Sequence, residues 1–237
     1  MDDEQPLHRV TAIEPIDCLK KSKDLIGDQY WLFVAISAVA YLILTAVPFY
    51  LLMGPMMCGL SLCFRARERG EEVRFELLFK GFEHFVQSLI ASMVQLMVIL
   101  AVTLPFVLWI GLGVIGVQVA MNERLEGLGV GLIALTGTGC LGLLAIWLIV
   151  MVFFSLTFQL VVDRGLPGIE AVKAGARAAK ANIGGLTGLT LLNALIGLVA
   201  TMMCALPFFL ALPILFGANW VAYRKIFPAP AGTVDAA

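Results

Sequence analysis

Four long stretches of this chain contain no Asp, Glu, Lys or Arg, and they constrain its fold more than any other feature. They cover residues 29–64, 84–122, 127–162 and 181–223. Each is longer than the roughly 18 apolar residues that indicate a membrane-spanning helix. Composition agrees, because 60% of the residues are hydrophobic and only 14% are charged, against about 25% charged in soluble domains. The sequence therefore predicts an all-α integral membrane protein.

The charge balance and the cysteines argue against several function classes. A net charge of −1 and an isoelectric point near 6.1 give no basis for a nucleic-acid partner. The five cysteines form no C-x-x-C pair, so they are predicted to be small packing residues rather than metal ligands or disulfides. No catalytic, cofactor-binding or metal-binding residue is predicted.

The first and last charge-free stretches have room for two crossings each, because one crossing uses about 20 residues. Prolines interrupt helical hydrogen bonding there and favour a turn. These prolines are Pro48, Pro55, Pro207 and Pro213. The sequence therefore predicts two helical hairpins, one pairing residues 30–46 with 49–64 and the other pairing residues 186–205 with 207–223.

The middle of the chain allows two arrangements. Residues 85–121 form either one spanning helix of about 24 residues followed by a glycine-interrupted segment, or a hairpin bent at Pro105. Residues 140–162 form one span. The sequence Thr136-Gly137-Thr138-Gly139 favours a turn at the start of that span.

The distribution of Lys and Arg decides between these arrangements, since basic residues collect on the cytoplasmic side of short loops. A single crossing by residues 85–121 places all but one of the 16 basic residues on one side. A double crossing would move the group from Arg164 to Lys180 to the other side. We therefore predict six spans in three hairpins, in the inner (cytoplasmic) membrane, with both termini in the cytoplasm. Residues 111–135, with Arg124, would then form an outer-face segment.

A short amphipathic helix is predicted on the cytoplasmic side before each hairpin. Residues 14–20 and 166–173 share the order Pro, Ile, acid, apolar, Lys, and proline suits the first turn of a helix, where its missing N–H costs nothing. The pattern indicates one membrane domain, residues 1–237, made of pseudo-repeats at 11–64, 71–162 and 165–224. Residues 226–237 are predicted to be a flexible tail.

The second amphipathic segment is rich in phenylalanine. Its apolar residues follow helical spacing opposite the charged positions 76, 80 and 83, and they are Phe75, Leu78, Phe79 and Phe82, continued by Phe85 or Val86. This face is predicted to lie in the membrane interface or in grooves between spans. The third segment has a face of small residues instead, which favours close packing on the helix bundle. Its small residues are Ala171, Ala174, Gly175 and Ala178.

A set of short patterns gives the chain a likeness to known proteins. They are Gly54-Pro55 with Gly59, Arg65 to Arg69 with Gly70-Glu71, Phe75 and Leu78-Phe79-x-Gly81-Phe82, Leu160-Val161-Val162-Asp163, and Tyr223-Arg224. Over most of its length the chain resembles a family of poorly characterised bacterial six-helix membrane proteins. That family is also similar to the membrane domain attached to some glycerophosphodiester phosphodiesterases. The resemblance implies the six-helix fold more than a function, and this sequence contains no phosphodiesterase domain.

No ionisable residue lies inside the predicted spans, where such residues usually mark ion paths, proton relays or catalysis. Buried amides there usually join two helices by hydrogen bonds. Candidates for interhelical or ligand contacts are Gln95, Gln159, Asn193 and Asn219. Candidates for lipid-headgroup contacts are Arg65, Arg67, Arg69, Arg74, Lys173, Arg177 and Lys180.

Two functions remain open. The first, which we favour, is an integral membrane scaffold or accessory protein that acts through membrane lipids, another membrane protein or its own homo-oligomer. The second is a lipid or small-molecule permease with a cavity between the hairpins, for which the prolines would supply broken helices. An enzyme is not expected, because it would require Asp163, Arg164, Glu170 and His84 to converge in one cleft facing the cytoplasm.

Overall fold

The computed structural model describes residues 9–46, 51–122, 126–203 and 205–228. The α-helices in these ranges are α1 (Pro15–Ile26), α2 (Tyr30–Ala46), α3 (Met53–Glu68), α4 (Phe85–Asn122), α5 (Glu126–Phe154), α6 (Thr157–Arg164), α7 (Gly168–Ala181), α8 (Ile183–Met202) and α9 (Ala205–Ile226). Two 3₁₀ helices cover Gly27–Gln29 and Phe75–His84. No β-strand occurs in these ranges, so the predicted all-α class is confirmed.

Five helical stretches in the described ranges are long and apolar enough to cross a membrane. They are Pro15–Ala46, Phe75–Asn122, Gly127–Arg164, Ile183–Met202 and Leu206–Ile226. Helix α3 has 16 residues, or about 24 Å, and is therefore shorter than a typical crossing. Helix α2 covers the same residues as the predicted first helix, 30–46, whereas α3 begins four residues later than predicted.

The prolines interrupt fewer helices than the sequence suggests. Pro55 and Pro207 are the third residues of α3 and α9, where backbone N–H groups have no intrahelical partner in any case. Helix α4 continues through Pro105, and α9 continues through Pro213. The chain therefore does not adopt the alternative hairpin bent at Pro105. Pro48 lies outside the described residues.

The predicted turn at residues 136–139 is wrong, because these residues lie inside α5. The outer-face location predicted for residues 111–135 stays a prediction. Residues 111–122 complete α4, and residues 126–139 begin α5. Arg124 lies outside the described residues. In an apolar environment a continuous helix satisfies its own backbone hydrogen bonds, and this outweighs the cost of its glycines.

The chain divides into two compact units, residues 95–151 and residues 1–94 with 152–237. In the smaller unit α4 and α5 approach closely at glycines: a Cβ added at Gly116 would lie 3.1 Å from the Leu132 side chain. Helix α4 has 38 residues, about 57 Å, so it exceeds the roughly 30 Å hydrocarbon core of a bilayer. Both units contain parts of α4 and α5. The predicted single membrane domain, residues 1–237, stays a prediction.

In the larger unit, three amphipathic elements each pack mainly against one helix. The 75–84 segment packs on α3, α7 packs on α6, and α1 packs on α9. The turns Gly70 and Gly165, with φ of 74° and 62°, allow the chain to fold back directly after α3 and α6, since glycine adopts positive φ without strain. Helix α1 packs instead on the last described helix, and the Arg9 N–H donates to the Ile226 carbonyl at 2.8 Å.

Small residues make these three contacts close. A Cβ added at Gly59 of α3 would overlap the Leu78 carbonyl of the 75–84 segment. On α9, Gly217 lies against Ser22 of α1, whose hydroxyl donates to the Ile214 carbonyl at 2.9 Å. The small face predicted for α7 is buried at all positions except the half-buried Ala174.

Candidate functional site at the C-terminal ends of three helices

The C-terminal ends of α6 and α9 are joined by a buried ion pair. Asp163 of α6 accepts two hydrogen bonds from the Arg224 guanidinium of α9, at 2.6 and 2.8 Å, and a third from the Tyr223 hydroxyl at 2.7 Å. The Asp163 side chain is only 3% exposed. A bidentate arginine–carboxylate pair fixes geometry as well as charge, so it holds these two helix ends in one arrangement.

Helix α3 joins the same cluster. Glu68 accepts a hydrogen bond from Nε of Arg224 at 2.6 Å. Arg65 donates to the Val162 carbonyl of α6 at 3.0 Å. The Arg224 guanidinium also lies 4.6 Å from the centre of the Trp220 ring, a favourable cation–π arrangement. We call Glu68, Asp163, Tyr223 and Arg224 the Arg224 cluster.

A second ionic contact connects α1 to α9. Lys21 and Lys225 both approach Oδ2 of Asp17, at 3.1 and 2.7 Å. Two ammonium groups therefore share one carboxylate. Glu14, at the start of α1, adds a second negative charge near Lys225.

A groove of about 310 Å³ lies between the two ionic contacts. It is lined by Lys21 and Leu25 of α1, Glu68 of α3, and Trp220, Val221, Arg224 and Lys225 of α9. Both charged and apolar side chains line it, so the groove can contact the polar and the apolar parts of one amphiphilic molecule.

The predicted headgroup cations fall into two groups. Arg65 is used in the Val162 contact, and Arg67 donates to the Leu25 carbonyl at 3.0 Å and pairs with Asp28. The other five are exposed, and they are Arg69, Arg74, Lys173, Arg177 and Lys180. Three of these five lie on α7, so this helix presents a row of cations to its surroundings.

The four predicted polar residues are not joined to one another by hydrogen bonds. Gln95 and Gln159 are buried, and their side-chain oxygens accept no hydrogen bond from the described residues. The side-chain oxygen of Asn193 on α8 also has no partner there, and no hydrogen bond connects it to Asn219 of α9. No interhelical hydrogen bond joins these amides within the described residues, and their role as interhelical or ligand contacts stays a prediction.

The Phe-rich segment is a 3₁₀ helix, in which side chains three residues apart share a row. Leu78 and Gly81 form the row buried against α3. Phe75, Phe79 and Phe82 are 37–44% exposed, so they do not fill grooves between spans. They remain available to the membrane interface, the other location predicted for them.

The sequence analysis missed the partners that build the ionic contacts, namely Asp17, Lys21, Glu68 and Lys225. The sequence did contain two of the patterns that meet here, residues 160–163, which end in Asp163, and the dipeptide Tyr223-Arg224. In the structure, hydrogen bonds join these residues in the Arg224 cluster. Of the four residues named for an enzyme cleft, Asp163 and Arg164 are neighbours in this cluster, at 3.7 Å. Glu170 is exposed on α7 and forms no ion pair with them in the described part of the chain.

No protein-family model, no curated protein and no solved structure matches the chain. Its function therefore has to be argued from its own residues and their geometry.

Proposed function

We propose that this chain is a multi-pass scaffold or accessory protein of the inner membrane that holds anionic lipid headgroups on its cytoplasmic side. The observation that carries this proposal is that α7 has one exposed, basic face and one buried face of small residues. Its exposed face carries Lys173, Arg177 and Lys180, and its small residues are buried against the protein. Such a basic face is attracted to an anionic membrane surface, where each well-placed Lys or Arg contributes about 1 kcal/mol.

The proposed topology has six spans: α2, α3, α4, α5 with α6, α8 and α9. Every Lys and Arg of the described residues belongs to the larger unit. An even number of crossings and the positive-inside rule support a cytoplasmic location for both termini. Helix α3 is the sixth span of this proposal; it is uncharged over residues 54–64 and shorter than the roughly 20 residues of a typical crossing.

Cysteine labelling tests the topology. Single cysteines are placed next to Arg67, Lys173 and Lys225, and one next to Glu123, in a chain whose native cysteines are replaced. Membrane-impermeant reagent should reach the first three only from the cytoplasmic side, and the fourth only from outside, because basic residues stay in the cytoplasm. Labelling next to Lys173 from outside would rule out the six-span arrangement.

Neutralising α7 tests the lipid-binding function. The triple variant Lys173→Gln, Arg177→Gln, Lys180→Gln should lose about 3 kcal/mol of attraction to anionic lipid at low salt. The measurement is the ratio of phosphatidylglycerol to phosphatidylcholine that the purified protein retains from mixed vesicles. Glu170→Gln on the same helix is the matched control, since it removes no cation. An unchanged ratio in a triple variant with wild-type thermal stability would contradict the proposal.

A permease is the second candidate, and buried oxygens without partners favour it. The side-chain oxygens of Ser37, Thr157 and Gln159 are buried and accept no hydrogen bond from the described residues. Unpaired polar groups in an apolar interior are costly, and a polar solute passing between the helices could satisfy them. Saturable flux of a small polar solute into protein-containing liposomes, absent from empty liposomes, would favour the permease over the scaffold.

A further inference from the structure

One wall of the groove between α1, α3 and α9 carries a surplus of hydrogen-bond donors. Lys21 and Lys225 share the single carboxylate of Asp17. Each ammonium has three N–H donors, so this shared contact leaves donors for another acceptor. An anionic oxygen placed between the two ammonium groups would complete the wall, as phosphate oxygens do beside clustered lysines.

The wall formed by α3 carries a carboxylate. Arg224 is engaged by the buried Asp163 and by Oε2 of Glu68, which leaves the other oxygen of Glu68 as an acceptor. The Glu68 side chain is 33% exposed. This wall disfavours a second negative charge and favours a hydrogen-bond donor. The two walls together therefore match a singly charged phosphodiester that bears a hydroxyl or an ammonium group.

The apolar lining distinguishes a lipid from free phosphate. Leu25, Trp220 and Val221 line the same groove as the lysines. Inorganic phosphate gains nothing from such contacts, whereas the glycerol and first acyl carbons of a lipid lose apolar surface to water when they bind there. The groove also lies between α1 and α9, which are the first and the last of the described helices.

We propose that this groove binds one glycerophospholipid, with its phosphate on Lys21 and Lys225 and a headgroup donor on Glu68. The proposal rests on the lipid-binding function inferred for α7 and gives that function a defined, single-lipid site. The bound headgroup is a phosphodiester such as phosphoglycerol or phosphoethanolamine. Its acyl chains begin along Leu25 and Val221.

Native mass spectrometry of the full chain in detergent tests this site by measuring the Kd of the first dioleoyl phosphatidylglycerol adduct. Lys21 is 57% exposed, so Lys21→Gln should fold and weaken this adduct about fivefold, and Lys21→Glu should weaken it further. The matched control is Lys20→Gln, an exposed lysine of the same helix that does not line the groove, and it should change the Kd less than twofold. Dioleoyl phosphatidylcholine, whose headgroup has no donor, should bind more weakly than phosphatidylglycerol to the wild type.

Three results would overturn the proposal. Equal Kd values for Lys21→Gln and Lys20→Gln would place the bound lipid elsewhere. Competition by millimolar inorganic phosphate alone would assign the groove to a free anion. Equal binding of the two lipids would remove the role of Glu68. The α7 triple variant should keep the first phosphatidylglycerol adduct. Unchanged lipid retention by that variant would contradict the proposed function, whereas an unchanged Kd for Lys21→Gln would contradict the groove proposal, so the two outcomes are distinguishable.

Discussion

Replacing Gly59 with leucine is expected to destabilise the protein by about 3 kcal/mol, at the upper end of what overpacking usually costs. Any Cβ at this position overlaps the carbonyl of Leu78, which is backbone and cannot rotate away. The 75–84 segment would therefore have to move off α3. Its release should lower the thermal unfolding midpoint in detergent and allow trypsin to cleave after Arg74 and Lys80, whose side chains are already exposed but whose backbone is held in the folded segment.

Gly184→Leu is the matched control for this prediction. Gly184 is also a helical glycine, in α8, but a Cβ there meets no atom within 4 Å. Leucine has the better helix propensity, so this variant should be as stable as the wild type or slightly more so. Equal destabilisation by the two variants would show that the 75–84 segment is not held by close packing at Gly59.

Replacing Asp163 with asparagine should destabilise the protein by about 3 kcal/mol, because removing one partner of a buried ion pair leaves the other charge poorly compensated. The new amide can still accept a hydrogen bond from Tyr223, so the lost stability comes mainly from the poorly compensated charge of Arg224. The free energy of unfolding in detergent is the measurement. Reversible denaturation followed by tryptophan fluorescence would include Trp220, which lies under the guanidinium.

The control for Asp163 is Asp28→Asn, which breaks the pair between Asp28 and Arg67. The Asp28 side chain is 81% exposed, and exposed ion pairs contribute about 1 kcal/mol or less. The double variant Asp163→Leu, Arg224→Met should recover part of the stability, because apolar residues of similar volume often replace buried ion pairs without loss. A similar small effect for Asp163→Asn and Asp28→Asn would mean that the Arg224 cluster does not hold α6 and α9 together.

The sequence predicted helices well where charge and proline placement decide them. Helix α2 begins and ends where the charge-free pattern indicated, and α7 begins after Pro167. The turn predicted at residues 136–139 was wrong because glycine has two different roles in a membrane chain. It favours a turn in local sequence, yet it permits close helix packing when a neighbour is present, and the neighbouring helix is not visible in the local pattern.

The candidate site was harder to predict because its contacts join distant residues. Asp163 and Arg224 are 61 residues apart, and Lys225 and Asp17 are 208 apart. Charge counting correctly located a basic surface on α7 but could not tell exposed cations from paired ones. Arg65 and Arg67 were therefore grouped with Lys173, although both donate to carbonyl groups of the protein.

The packing of α1 on α9 has a consequence for biosynthesis. The buried face of α1, formed by Cys18, Ser22 and Ile26, emerges from the ribosome long before Gly217 and its helix exist. At 5–20 residues per second, the interval is roughly 10–40 s. In the proposed topology, α1 would wait at the membrane surface during that time, held there by its own charges. Closure of α1 onto α9 would then be a late assembly step, which a translation-arrested chain ending before α9 would lack.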